Sequence, residues 1–199
     1  IAKMDITGGT PTGRVVLANA GRNLIPACAE LGGKAPLIVF QDANVDEAVN
    51  AAAFASFIAT GQTCIAATRL LVHESLFEEV KQKFVAKAKG LKLGSPSDME
   101  TQIGPVISKL QRERIIDFVK VAREEGATIE CGGDIPEEYP KGYYYLPTII
   151  ADCNPEMRVV KEEVFGPVVV MLSFKDEQDA IKLANDSPYG LAAGIWTND

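Results

Sequence analysis

The chain has 199 residues, 47% of them hydrophobic and 24% charged, a composition that fits a globular α/β protein with a sizeable core and excludes a disordered or fibrous chain. Its 27 acids outnumber its 20 bases to give a net charge of −7, and no basic run is present, which excludes a surface that tracks nucleic-acid phosphates. No apolar stretch approaches the roughly 20 residues needed to span a bilayer, so no membrane segment is expected.

The predicted elements follow one another as strand and helix. The amino terminus, IAKMDITGGT, has no signal-peptide pattern and starts without methionine inside a possible strand, which reads as the interior of a longer cytoplasmic protein. A glycine-rich turn, TGGTPTG (residues 7–13), then leads into helix-like spacing over residues 14–20. Residues 36–40 (PLIVF) form a bounded apolar run suited to a buried strand, and residues 45–58 have helical spacing. The pattern continues with a strand at 69–73, helices at 75–89 and 109–125, and a strand at 128–131. It ends with a strand at 168–174, a helix at 177–185 and a strand at 191–196. Residues 94–105 and 131–145, rich in Gly, Pro and acids, read as surface loops. Such alternation predicts the α/β class, with a mostly parallel sheet flanked by helices.

Four segments carry chemistry. Gly8 and Gly9 lie at a strand-to-helix turn, where backbone amides at a helix start can meet a phosphate; the same glycines also make an ordinary turn. Glu30 opens ELGGK, a carboxylate beside two glycines that is either a general base or a solvated acid. Cys64 lies in GQTCIAATR after an Ala-rich helix and is either an accessible nucleophile or a small buried hydrophobe. Glu163 and Phe165 lie in KEEVFGP, where the acid can bind sugar hydroxyls and the ring can pack on a flat partner or in the core. Cys28, Cys64, Cys131 and Cys153 show neither paired nor metal-type spacing, and His73 is the only histidine. Disulfides and a metal site are therefore not expected, and a Cys–His protease is disfavoured.

Taken together and in order, ELGGK, GQTCIAATR and EEVFGPV resemble the aldehyde dehydrogenase superfamily across essentially the whole chain. The resemblance implies an incomplete catalytic domain over residues 31–199, preceded by a short piece of the Rossmann-like cofactor domain over residues 1–30. It implies NAD(P)-dependent oxidation of a small aldehyde to a carboxylic acid, with Cys64 as nucleophile and Glu30 as the base that activates water. By the same resemblance Glu163 binds the nicotinamide ribose, Phe165 flanks the nicotinamide, and Leu31 and Gly32 line its path, Gly32 because a side chain there would collide with the ring. Gly8 and Gly9 match the helix start beneath the pyrophosphate, although many relatives have Ser at the second position. NAD and NADP are not distinguished, because the residues that decide between them precede residue 1. The full-length protein is expected to be a homodimer or homotetramer. Two other readings remain: an acylating enzyme that passes the thioester to coenzyme A, against which Glu30 argues, and a non-catalytic relative that kept the fold. Thr63 and Ile65, beside the nucleophile, carry no charge and point to a neutral aliphatic or aromatic aldehyde.

Overall fold

A computed structural model describes all 199 residues, which form two sheets. Strands β1 (Met4–Thr7) and β2 (Ala27–Glu30) pair in parallel from Met4↔Ala27 to Thr7↔Glu30, joined by helix α1 (Thr10–Arg22). This helix opens four residues earlier than its apolar spacing suggests. Gly9 occupies the N-cap and Pro11, which has no amide hydrogen to leave unpaired, sits in the first turn. Strand β2, ACAE, has little intrinsic β preference and was not expected; its pairing with β1 specifies it.

The larger sheet has six strands in the order β5-β6-β7-β4-β3-β8. These are β3 (Ala35–Val39), β4 (Ala67–His73), β5 (Thr128–Cys131), β6 (Thr148–Ala151), β7 (Val168–Phe174) and β8 (Gly194–Trp196). All pairings are parallel except β5 with β6. The mostly parallel α/β sheet expected from the alternation is therefore present. Strand β6 was missed because TIIA is too short to stand out beside the Gly- and Pro-rich segment before it.

Successive residues of the central strands enter opposite cores. Leu37 and Val39, Leu70 and Val72, and Val169 and Met171 face α2 (Val45–Phe57) and α3 (Phe77–Lys89). Ile38, Leu71, Val168, Val170 and Leu172 face α4 (Lys109–Glu124) and α5 (Arg158–Lys161), with Ala180 of α6 (Glu177–Asn185) in the same core. Burial on both faces explains why these strands read as continuous apolar runs rather than as alternating ones. Side-chain caps fix three helix starts: Asn44 accepts from the Asp46 amide at 3.1 Å, Ser108 from Gln111 at 3.2 Å and Asp176 from Asp179 at 2.9 Å. No helix is long and apolar enough to cross a membrane.

Candidate active site

Strands β7, β4 and β3 are parallel neighbours, so the segments that precede them emerge at one edge of the sheet. Those segments are 162–167, 61–66 and 31–34, which contain all the singled-out residues of the larger sheet. The last of them also runs directly from the carboxyl end of β2. The carboxyl edge of the small sheet, with Gly8, Gly9 and Glu30, is thereby joined to the amino edge of the large one.

The Cys64 turn is built on strained backbone. After α2 ends, Ala59, Thr60 and Gly61 are all left-handed, with φ of 49°, 58° and 69°. For the two non-glycine residues this costs about 1–2 kcal/mol each. Contacts from the segment before α4 hold the turn: Thr60 Oγ1 donates to the Gly104 carbonyl at 3.2 Å, and Gln62 Oε1 accepts from the Ile107 amide at 2.9 Å. The Ala66 amide closes it onto the Thr63 carbonyl at 3.0 Å. Cys64 is half-buried within it.

Two glycines let the three segments meet. A Cβ on Gly61 would overlap the Gly166 carbonyl, and one on Gly33 would overlap the Cys64 carbonyl. Gly32 is constrained within the chain itself. A side chain there would strike the Glu163 carboxylate, which accepts a 3.1 Å hydrogen bond from the Gly33 amide. Leu31 packs so closely on Gly13 of α1 that no Cβ fits between them, which ties the small sheet's helix to the ELGGK segment.

Glu30 ends β2, and its carbonyl accepts from the Gly8 amide at 3.0 Å. Its side chain is exposed. Gly8 and Gly9 have open space above them: the nearest atoms to an added Cβ are Ile6 Cγ1 at 4.0 Å and Pro11 Cδ at 3.8 Å. No protein contact requires glycine at either position.

Phe165 is half-buried and left-handed, with φ of 58°. Helix α4 fixes its loop through two residues that the sequence reading passed over. Gln111 Nε2 donates to the Val164 carbonyl at 3.0 Å and to that of Phe165 at 2.7 Å, and Arg114 Nη2 donates to the Glu163 carbonyl at 2.7 Å. Their only sequence signal is helical spacing with the buried Ile115 and Phe118.

His73 lies at the far end of β4, about 20 Å along the strand from the end that Cys64 precedes. There its ring contacts Ser75 Oγ at 2.8 Å and the Lys175 carbonyl at 3.0 Å. All four cysteines are free. Burial pushes the Cys131 thiol up, and pushes that of Cys153 up to about 12, leaving these two in little thiolate form.

The sequence profile of the aldehyde dehydrogenase family matches residues 1–199. The chain belongs to that family. It is 43% identical to the betaine aldehyde dehydrogenases of Brucella ovis and Brucella melitensis over 200 residues, which cover 100% of this chain and 41% of each relative. Among solved structures, an aldehyde dehydrogenase from Bacillus cereus in complex with NAD+ is 40% identical with a TM-score of 0.97. Betaine aldehyde dehydrogenase from Staphylococcus aureus, also in complex with NAD+, is 42% identical with a TM-score of 0.97. Each match covers 100% of this chain and 40% of the solved one. The chain thus spans well under half the length of the relatives it matches.

Proposed function

We propose that this chain carries the nucleophile and part of the cofactor site of an aldehyde dehydrogenase that oxidises an aldehyde to a carboxylic acid with NAD or NADP. The observation that supports the reading is the close meeting of three segments, Gly33 against the Cys64 carbonyl and Gly61 against Gly166, with the Cys64 turn between the ELGGK and EEVFGP loops. In this reading residues 1–30 are the last βαβ unit of the cofactor domain, and residues 31–199 belong to the catalytic domain.

Cys64 attacks the aldehyde carbon through its thiolate, forming a thiohemiacetal whose oxyanion accepts from the Cys64 backbone amide. A nicotinamide cofactor, when bound, would supply the acceptor for the hydride by which this carbon is oxidised to the thioester. Glu30 then removes a proton from the water that attacks the resulting thioester, releasing the acid and the free thiol. The residues present fit the cofactor. The Gly8 amide is spent on the Glu30 carbonyl, and the amides of Gly9 and of the start of α1 are left for the pyrophosphate. The Glu163 carboxylate needs only to leave the Gly33 amide to accept from ribose hydroxyls. Leu31, Gly32 and Phe165 bound the space for the nicotinamide. The substrate is an uncharged aldehyde in this reading; the relatives named for betaine aldehyde make that cationic aldehyde the first comparison in a substrate panel.

The test uses an activated acyl ester without cofactor, with acylation mapped by mass spectrometry. Cys131 and Cys153 should stay unlabelled, and Cys64 should be acylated ahead of the exposed Cys28. Glu30→Gln should still acylate but release the acyl group more slowly by about 10²–10⁴-fold, the usual contribution of a general base. Labelling that favours Cys28, or unchanged release in Glu30→Gln, would remove the assignment.

A second expectation concerns α4. Gln111→Leu removes both bonds to the Val164 and Phe165 carbonyls, so the Glu163 loop loses its order. NAD+ affinity in the full-length enzyme should fall by about tenfold, in line with 1–2 kcal/mol for two lost hydrogen bonds, while cofactor-free acylation of Cys64 is retained. Equal affinity, measured by calorimetric titration with NAD+, would show that α4 does not position that loop.

A further inference from the structure

Beside the ELGGK turn, the fold buries two cations that no carboxylate meets within salt-bridge distance. Lys34 is 3% exposed, and its Nζ has no hydrogen-bond partner. Arg69 is 2% exposed and donates only to backbone carbonyls: Nε to Lys34 at 2.8 Å, Nη1 to Leu183 at 2.9 Å and Nη2 to Ala184 at 2.8 Å. A guanidinium has five N–H donors, so two remain.

The acids whose charge reaches this pair are engaged elsewhere. Asp186 pairs with Lys161 at 2.7 Å, Glu162 bonds Arg158 at 3.4 Å, and Glu163 accepts from the Gly33 amide. An unpaired buried ammonium is among the costliest groups a fold can hold. Burial first, and then the neighbouring Arg69, push Lys34 down to about 7.

Both cations line one cavity of about 310 Å³, together with Pro36, Asn185, Tyr189 and Leu191. No acid lines it. The backbone amides of Gly190 and Leu191, also in its wall, donate to no protein carbonyl. Every charged group facing the cavity is therefore a cation, and the nearby backbone adds donors.

We infer that this cavity binds a small oxyanion, a carboxylate or phosphate group held by Lys34 and the two free Arg69 donors. Arginine supplies a fixed fork and lysine a mobile point charge, the pairing that suits such a group. The site is distinct from the nucleophile turn but adjoins it: Leu191 lies 3.4 Å from where a Gly33 Cβ would stand, and Gly33 abuts the Cys64 carbonyl. The inference uses neither Cys64 nor the redox reading, so either can fail without the other.

The test is calorimetric titration of the chain with inorganic phosphate and with acetate at matched ionic strength, alongside Lys34→Met, which keeps the volume and removes the charge. At least one anion should bind with a dissociation constant of about 1 mM or tighter, and at least tenfold more weakly to Lys34→Met. A preference for phosphate assigns a phosphoryl ligand, and a preference for acetate a carboxylate. A second measurement needs no substitution: the bound anion should slow acetylation of the Lys34 amine by acetic anhydride, mapped by mass spectrometry. Binding of neither anion, equal binding to Lys34→Met, or binding without protection of Lys34 would overturn the inference.

Discussion

Replacing Cys64 by alanine in the full-length enzyme should abolish aldehyde oxidation, lowering turnover by at least about 10³-fold, because Cys64 is the only thiol in the three segments that meet at this edge of the sheet. Cys131 and Cys153 lack the thiolate character, burial pushing both thiols up. Cys28 is exposed on β2 but belongs to the small sheet rather than to the strained turn. The only histidine is bonded to Ser75 and Lys175 at the opposite end of β4. The substitution removes only a half-buried sulfur, so the urea midpoint should move little. NAD(P)H formation by absorbance, set beside that midpoint, decides the matter. Undiminished turnover in a folded variant would sink Cys64 as nucleophile, whereas loss of both activity and fold would point to a packing role.

Gly61→Ala should have the second largest effect, and on the fold itself. The position combines a left-handed φ of 69° with a backbone carbonyl, that of Gly166, where the new methyl group must go. Neither obstacle is a flexible side chain that can rotate away. Together, conformational strain and overpacking should cost on the order of 2–4 kcal/mol, read as a lower urea midpoint with an unchanged slope. Gly21→Ala is the control: it lies in α1 with nothing within 4 Å of the added methyl, so better helix propensity should stabilise the chain by about 0.5–1 kcal/mol. If the two variants shift the midpoint alike, the close approach of the Cys64 turn to the EEVFGP loop is not what constrains residue 61.

How much of this was legible beforehand differs from residue to residue. The central strands were legible because burial on both faces turns them into unbroken apolar runs, and α2, α4 and α6 because caps and spacing agree locally. Strands β2 and β6 were not, since four residues carry too little pattern and each owes its form to a partner distant in sequence. The contact between Gly32 and the Glu163 carboxylate was not legible, because the two residues lie 131 positions apart.

By itself the sequence determined the alternation of strand and helix, and with it the α/β class, because hydrophobic spacing is a local property. The sequence also supplied the candidate site residues, since ELGGK, GQTCIAATR and EEVFGP are short strings whose chemistry is carried by residue type. Only the tertiary structure decided that these strings meet. The reason is the strand order: β7, β4 and β3 come from distant parts of the chain, and their parallel pairing alone brings 162–167, 61–66 and 31–34 to one edge. Contacts across that edge then determine which glycines are indispensable, that Gln111 and Arg114 hold a loop 50 residues away, and that Lys34 and Arg69 share a cavity without an anion.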